Sequence, residues 1–177
     1  DVTSMRTASS HGTAGGICST VNIKDSTDGA IVFEGNTNNG DTVGYFSAGI
    51  LASSFADKDT PADVRLEILG NTNTGDIEVN SAISSPLETP TAVGITVGTV
   101  GARTGCSAAL RGNVNRGTVT ASVEKGVAAG ISGSIYPTTR FEGTNANYGA
   151  ISGTSQAAGI VTNCFGAELT GLVNGGA

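Results

Sequence analysis

Short apolar or alternating stretches, each closed by Gly or Asn, recur along the chain, and no stretch carries a helical period with caps. Ala30-Ile31-Val32-Phe33, Val64-Arg65-Leu66-Glu67-Ile68-Leu69 and Ala108-Ala109-Leu110 are the clearest, and they read as short β-strands. Two further patterns alternate with them. One places Gly-Ile after a small residue or Val: Gly16-Ile17, Ala48-Gly49-Ile50, Val93-Gly94-Ile95, Ala129-Gly130-Ile131 and Ala158-Gly159-Ile160. The other is Gly35-Asn36-Thr37-Asn38, Gly70-Asn71-Thr72-Asn73 and Gly112-Asn113-Val114-Asn115, with a degenerate copy at Gly143-Thr144-Asn145-Ala146-Asn147. A Gly and then a Val or Ile follow each copy: Gly40 with Val43, Gly75 with Ile77, Gly117 with Val119, Gly149 with Ile151 and, more weakly, Gly171 with Val173.

The Gly-Ile markers lie 33, 45, 36 and 29 residues apart, in the range that signals stacked repeats. The expectation is an all-β chain: a parallel β-solenoid, or β-helix, of about five coils with three short strands per coil, a single domain over residues 1–177. Right-handed crossovers are the general rule for parallel strands. Asn at equal places in successive coils can stack as a ladder of side-chain amides, one strand spacing apart. Asn36, Asn71 and Asn113 form one candidate ladder, and Asn38, Asn73 and Asn115 a second. Gly40, Gly75, Gly117, Gly149 and Gly171 are expected at coil corners, where Gly supplies positive φ without steric cost. The longer periods imply loop insertions near 52–62 and 81–91, which hold Pro61, Pro86 and Pro90 and are expected to lie outside the sheets.

Composition agrees with thin coils. The chain has 177 residues with 27 Gly, no Trp and 5% aromatic residues, so its walls must pack through small side chains. Nine basic against 15 acidic residues give a formal charge of −6, which disfavours nucleic acid as a partner, because phosphate neutralisation needs clustered Lys and Arg. No apolar run reaches the length of a membrane-spanning helix. Cys18, Cys106 and Cys164 allow at most one disulfide and read as small core residues.

Catalytic chemistry has little to work with. His11 is the one histidine, in Ser9-Ser10-His11-Gly12, and no nucleophile motif accompanies it. No Cys and His spacing suits zinc. The acidic segments 57–63 and 25–29 could suggest calcium, but the first has Pro61 where a third oxygen ligand belongs, and both read as solvated turns. Neither catalytic residues, metal nor cofactor is expected. A flat Thr rank for ice binding starts with Thr37 and Thr72 but breaks at Val114, and Thr118 aligns with Asp41, Asp76 and Ala150.

The pairing of Asn115-Arg116-Gly117-Thr118-Val119 with Ala129-Gly130-Ile131, and of residues 38–43 with Ala48-Gly49-Ile50, resembles the GLUG-type repeats of bacterial surface and adhesin proteins. The resemblance implies a β-solenoid placed outside a cell or on its surface, with a structural or binding role. The opening on Asp1 without a leader reads as a processed, exported chain.

Asp1-Val2-Thr3 fits the slot of Asp76-Ile77 and Thr118-Val119, and Leu172-Val173-Asn174 is expected in the same slot five coils later. Neither end shows a polar cap, and uncapped strands are templates for further pairing. The expectation is therefore a non-enzymatic extracellular protein that polymerises head to tail with copies of itself through Asp1, Val2, Thr3, Leu172, Val173 and Asn174. The alternative is an adhesin segment that binds a glycan or a cell-surface protein through the loops at 52–62 and 81–91.

Overall fold

The computed structural model, described for residues 1–3, 12–23, 29–56, 64–79, 89–98, 106–136 and 138–176, contains strands and no helix. All pairings are parallel, and they sort the strands into five sheets that run the length of the molecule. Sheet I holds Val2–Thr3, Thr42–Gly44, Ile77–Val79, Val119–Ala121 and Ile151–Gly153. Sheet II holds Thr13–Gly15, Phe46–Ala48, Thr91–Val93, Val127–Ala129 and Gln156–Ala158. Sheet III holds Cys18–Ile23, Leu51–Ala56, Thr96–Gly98, Ser132–Ile135 and Val161–Cys164. Sheet IV holds Gly29–Glu34, Val64–Leu69, Cys106–Arg111 and Thr139–Glu142, extended into the fifth coil by a bridge from Arg140 to Glu168. Sheet V holds Thr37–Asn38, Thr72–Asn73, Val114–Asn115, Asn145–Asn147 and Leu172–Asn174.

The chain visits sheets I to V in turn and repeats the circuit, which makes a parallel β-solenoid of five coils. Each of the first four circuits contains five short strands, and the fifth four strands and a bridge, rather than the three expected. The Ala-Gly-Ile marker is the reason: it is a bend between sheets II and III, while the Asn-x-Gly-x-Val pattern spans sheets V and I. The stretches read as strands from alternation form sheet IV, with Val64, Leu66 and Ile68 turned inward and Arg65 outward.

Sheet II explains the small residues. Thr91–Val93 and Val127–Ala129 are buried at every position, so this sheet is covered on both faces. On one face Ala92 and Ala128 pack with Ile77, Val79, Val119 and Ala121 of sheet I. On the other, a Cβ added to Gly133 of sheet III would lie 3.2 Å from Thr91 Cγ2 and 3.4 Å from Val93 Cγ2. A second apolar cluster lies between sheets III and IV and the Ile bends, with Leu51, Leu66, Ile68, Leu110, Ile50, Ile95 and Ile131. The wall between two cores leaves no volume for large side chains.

The bends joining sheets V and I (39–41, 74–76, 116–118, 148–150) and those joining II and III (16–17, 49–50, 94–95, 130–131, 159–160) keep one length in every coil. Length varies mainly between I and II and between III and IV; between IV and V the fourth coil carries one extra residue, since Glu142 pairs with Arg111 but Ala146 with Val114. The expected loop at 52–62 starts later than the sequence suggests, because residues 52–56 continue sheet III, pairing Ser53 with Thr20 and Ala56 with Ile23. The loop at 81–91 ends earlier: Thr91 opens a strand of sheet II, and the Pro90 carbonyl accepts a bond of 2.9 Å from Val127 N–H. Pro90 therefore flanks the sheet at a strand's first edge, where the ring is tolerated. Pro61 and Pro86 lie outside the described residues, as does His11.

One column carries a mismatch. Thr42 stands between Val2 and Ile77 in a column that continues through Val119 and Ile151, and its buried hydroxyl finds no hydrogen-bond partner. Thr42→Val keeps the shape and removes the stranded hydroxyl, so it should raise stability by roughly 1 kcal/mol. A higher urea midpoint at unchanged slope is the expected reading.

Candidate functional site at the two ends of the solenoid

Both expected Asn ladders exist, and each is longer than the sequence suggested. In the first, the side-chain amides of Asn36, Asn71 and Asn113 donate to the Oδ1 of Asn71, Asn113 and Asn145 at 2.9, 3.1 and 3.0 Å. The same oxygens also accept the backbone N–H of the preceding rung. The inner amides reach carbonyls one coil down: Asn71 to Phe33, Asn113 to Ile68 and Asn145 to Leu110. Leu172 takes the fifth place and ends this ladder.

The second ladder is unbroken. Asn38, Asn73, Asn115 and Asn147 donate through Nδ2 to Oδ1 of Asn73, Asn115, Asn147 and Asn174 at 2.8, 2.8, 2.8 and 2.9 Å. Each amide also donates to the carbonyl of a glycine two residues on: Gly40, Gly75, Gly117 and Gly149. Every bond between rungs is donated toward the higher-numbered coil, so the ladder has a polarity.

The repeat glycines fall into three stacks. Gly40, Gly75, Gly117 and Gly149 do sit at the corner between sheets V and I, but their requirement is closeness rather than positive φ: a Cβ on Gly75 would strike the Gly40 carbonyl, and one on Gly117 the Gly75 carbonyl. Gly171 is not their fifth member. It has φ 63° and belongs with Gly35, Gly70, Gly112 and Gly143, which turn the chain from sheet IV into sheet V; Gly176 takes the place assigned to Gly171. The third stack, Gly16, Gly49, Gly94, Gly130 and Gly159, is the Gly of the Ala-Gly-Ile marker. A Cβ on any of these would collide with the second ladder, at Asn38, Asn73, Asn115, Asn147 and Asn174 respectively. The two repeated sequence patterns are thus opposite sides of one contact.

Asp1 lies in the expected slot, with Val2 and Thr3 pairing with Thr42 and Val43 of sheet I. Its Oδ1 accepts the Asp41 N–H at 3.1 Å, Asp41 does the same for Asp76 at 2.9 Å, and Asp76 for Thr118 at 2.8 Å. Leu172, Val173 and Asn174 do not share that slot. They pair with Asn145, Ala146 and Asn147 in sheet V, because the left-handed Gly171 sets them one strand earlier in the circuit. The described circuit therefore opens in sheet I and closes in sheet V, and in every inner coil sheet V leads directly into sheet I.

Three apolar columns run through the coils and surface at the ends. Val2 heads the sheet I column at 39% exposure, over Thr42, Ile77, Val119 and Ile151. Ile17 heads the Ile column at 42%, over the fully buried Ile50, Ile95 and Ile131. At the other end Leu169, 40% exposed, follows Phe141, Leu110, Ile68 and Phe33 in sheet IV. Phe165, 53% exposed, stacks one ring face on Tyr136 at 5.3 Å and 19° and turns the other outward.

The sides of the solenoid offer less. Thr37, Thr72, Val114, Ala146 and Val173 form one column, so the Thr rank breaks where expected. No group of three or more His, Cys, Asp or Glu that could hold a metal occurs among the described residues. The three cysteines form no disulfide with one another, and of the three Cys106 is buried, Cys18 half-buried and Cys164 exposed. The acidic segments considered for calcium lie, but for Gly29, outside the described residues. Among the described residues no helix is long and apolar enough to cross a membrane. The chain matches no family model, no curated protein and no solved structure.

Proposed function

We propose that this chain is a non-enzymatic structural protein whose copies stack end to end into a fibre, each continuing the solenoid of the last. The observation that carries the reading is a set of apolar columns, buried in the inner coils, that are exposed at Val2 and Ile17 in the first coil and at Leu169 in the last, where further coils in the same register would cover them. Covering them with like columns removes apolar area from water at about 25 cal/mol per Å² and pairs five strand edges in one step. A heterologous contact of this type does not close on itself, so it propagates as a filament. An extracellular or cell-surface place rests on the GLUG-type resemblance of the repeats and is part of the same proposal.

At five coils of about 4.8 Å each, the fibre should show an axial subunit repeat of about 24 Å. Electron microscopy and fibre diffraction of the purified chain at high concentration test this. Discrete particles with no axial repeat would end the proposal.

A further inference from the structure

We infer that the joint between copies is directional and fixed in register, the last coil of one copy accepting only the first coil of the next; this rests on the fibre reading. The ladders set the direction. In the second ladder each rung donates to the next coil, which leaves the Asn174 amide as the donor at the last coil and the Asn38 Oδ1 as the acceptor at the first. The first ladder ends the same way. Its Oδ1 atoms accept backbone N–H groups from the coil before, so the Leu172 N–H meets the next copy's Asn36 Oδ1. The amide of each inner rung also reaches a carbonyl three residues before the rung below, which places the next copy's Asn36 amide on the Leu169 carbonyl.

Apolar columns continue across the same register. Ile160 comes under the next copy's Ile17, Ile151 under its Val2, and Leu169 under its Phe33. Two like ends can meet only through a two-fold turn, which reverses the strand direction, so the Asn174 amide and the Leu172 N–H lose the acceptors that a first coil offers in register. Unpaired polar groups at such a contact count against it, so like ends do not join.

Two singly blocked variants test the inference. Ile17→Lys places a charge on the first coil and leaves the last intact; Leu169→Lys does the reverse. Both positions are exposed, so each variant should fold, as circular dichroism will show. Asn174→Asp serves as a second block of the last coil should Leu169→Lys fail to fold. Each variant alone should sediment as a monomer, and an equimolar mixture should double in mass and stop at the dimer. Dimers formed by either variant alone, or a mixture that stays monomeric, would overturn the directional joint. If wild-type fibres still form in that case, the fibre reading survives without this register; if the wild type forms none, both fall.

Discussion

Gly94→Ala should abolish folding under conditions where the parent chain gives a cooperative transition. The added methyl would collide with the Gly130 carbonyl of the next coil and would come within 2.6 Å of Asn115 Oδ1. Neither neighbour can yield: one is backbone in a sheet-to-sheet bend, and the other is fixed by ladder bonds above and below. The cost belongs with the exceptional substitutions, above about 4 kcal/mol. Gly35→Ala is the informative contrast. Nothing lies within 4 Å of its Cβ, so only the backbone at φ +65° resists, at about 1–2 kcal/mol. Chemical unfolding of the pair checks both values. A Gly94→Ala chain no less stable than Gly35→Ala would remove the ladder-to-bend contact as the reason for that glycine stack.

Asn115→Asp should be nearly as damaging at neutral pH, and the damage should fade in acid. The amide nitrogen it replaces donates to Asn147 Oδ1 and to the Gly117 carbonyl, so the new carboxylate would face two acceptors in a buried position. Loss of about 3–5 kcal/mol is the scale for leaving such a charge uncompensated. Burial and the facing oxygens raise the new carboxyl's pKa in the folded chain above the unfolded value of about 3.9. Below that value the neutral acid can donate one bond and the loss is smallest; as pH rises through the folded value the loss becomes full. Unfolding midpoints relative to the parent should therefore converge between pH 7 and pH 4. Asn115→Leu, which loses the same bonds without a charge, should show a deficit relative to the parent that does not change with pH.

Repetition makes the solenoid legible from residue order alone. Asn36, Asn71 and Asn113 recur at the same place in each period, and equal places in a parallel stack must coincide in space. Asn145 and Asn147 belong to a degenerate copy and give no ladder signal, because Thr144 and Ala146 break the local pattern while the register holds. Asn174 reads into the wrong strand. Gly171-Leu172-Val173 imitates the Gly-x-Val entry to sheet I, and only the backbone angle at Gly171 tells the two glycines apart. The role of Gly49 and its equivalents is unreadable for a different reason. Their partner Asn residues lie across the coil, more than 20 residues away for Gly49 and Asn73, and a one-dimensional pattern does not say which walls touch. The strand count fails on the same ground, since a two-residue bend looks like a strand interior when both sides are apolar.

The ladder bonds also decide how such a molecule answers tension. Every hydrogen bond between rungs runs along the long axis, while the covalent chain runs around it, with 35, 42, 32 and 27 residues between successive rungs. Pulling on the two ends of one chain loads the outermost coil first and peels it away whole before the next is strained. Each release frees a segment that extends by about 3.3–3.6 Å per residue, so the material lengthens in unequal steps of roughly 90 to 150 Å rather than snapping at once.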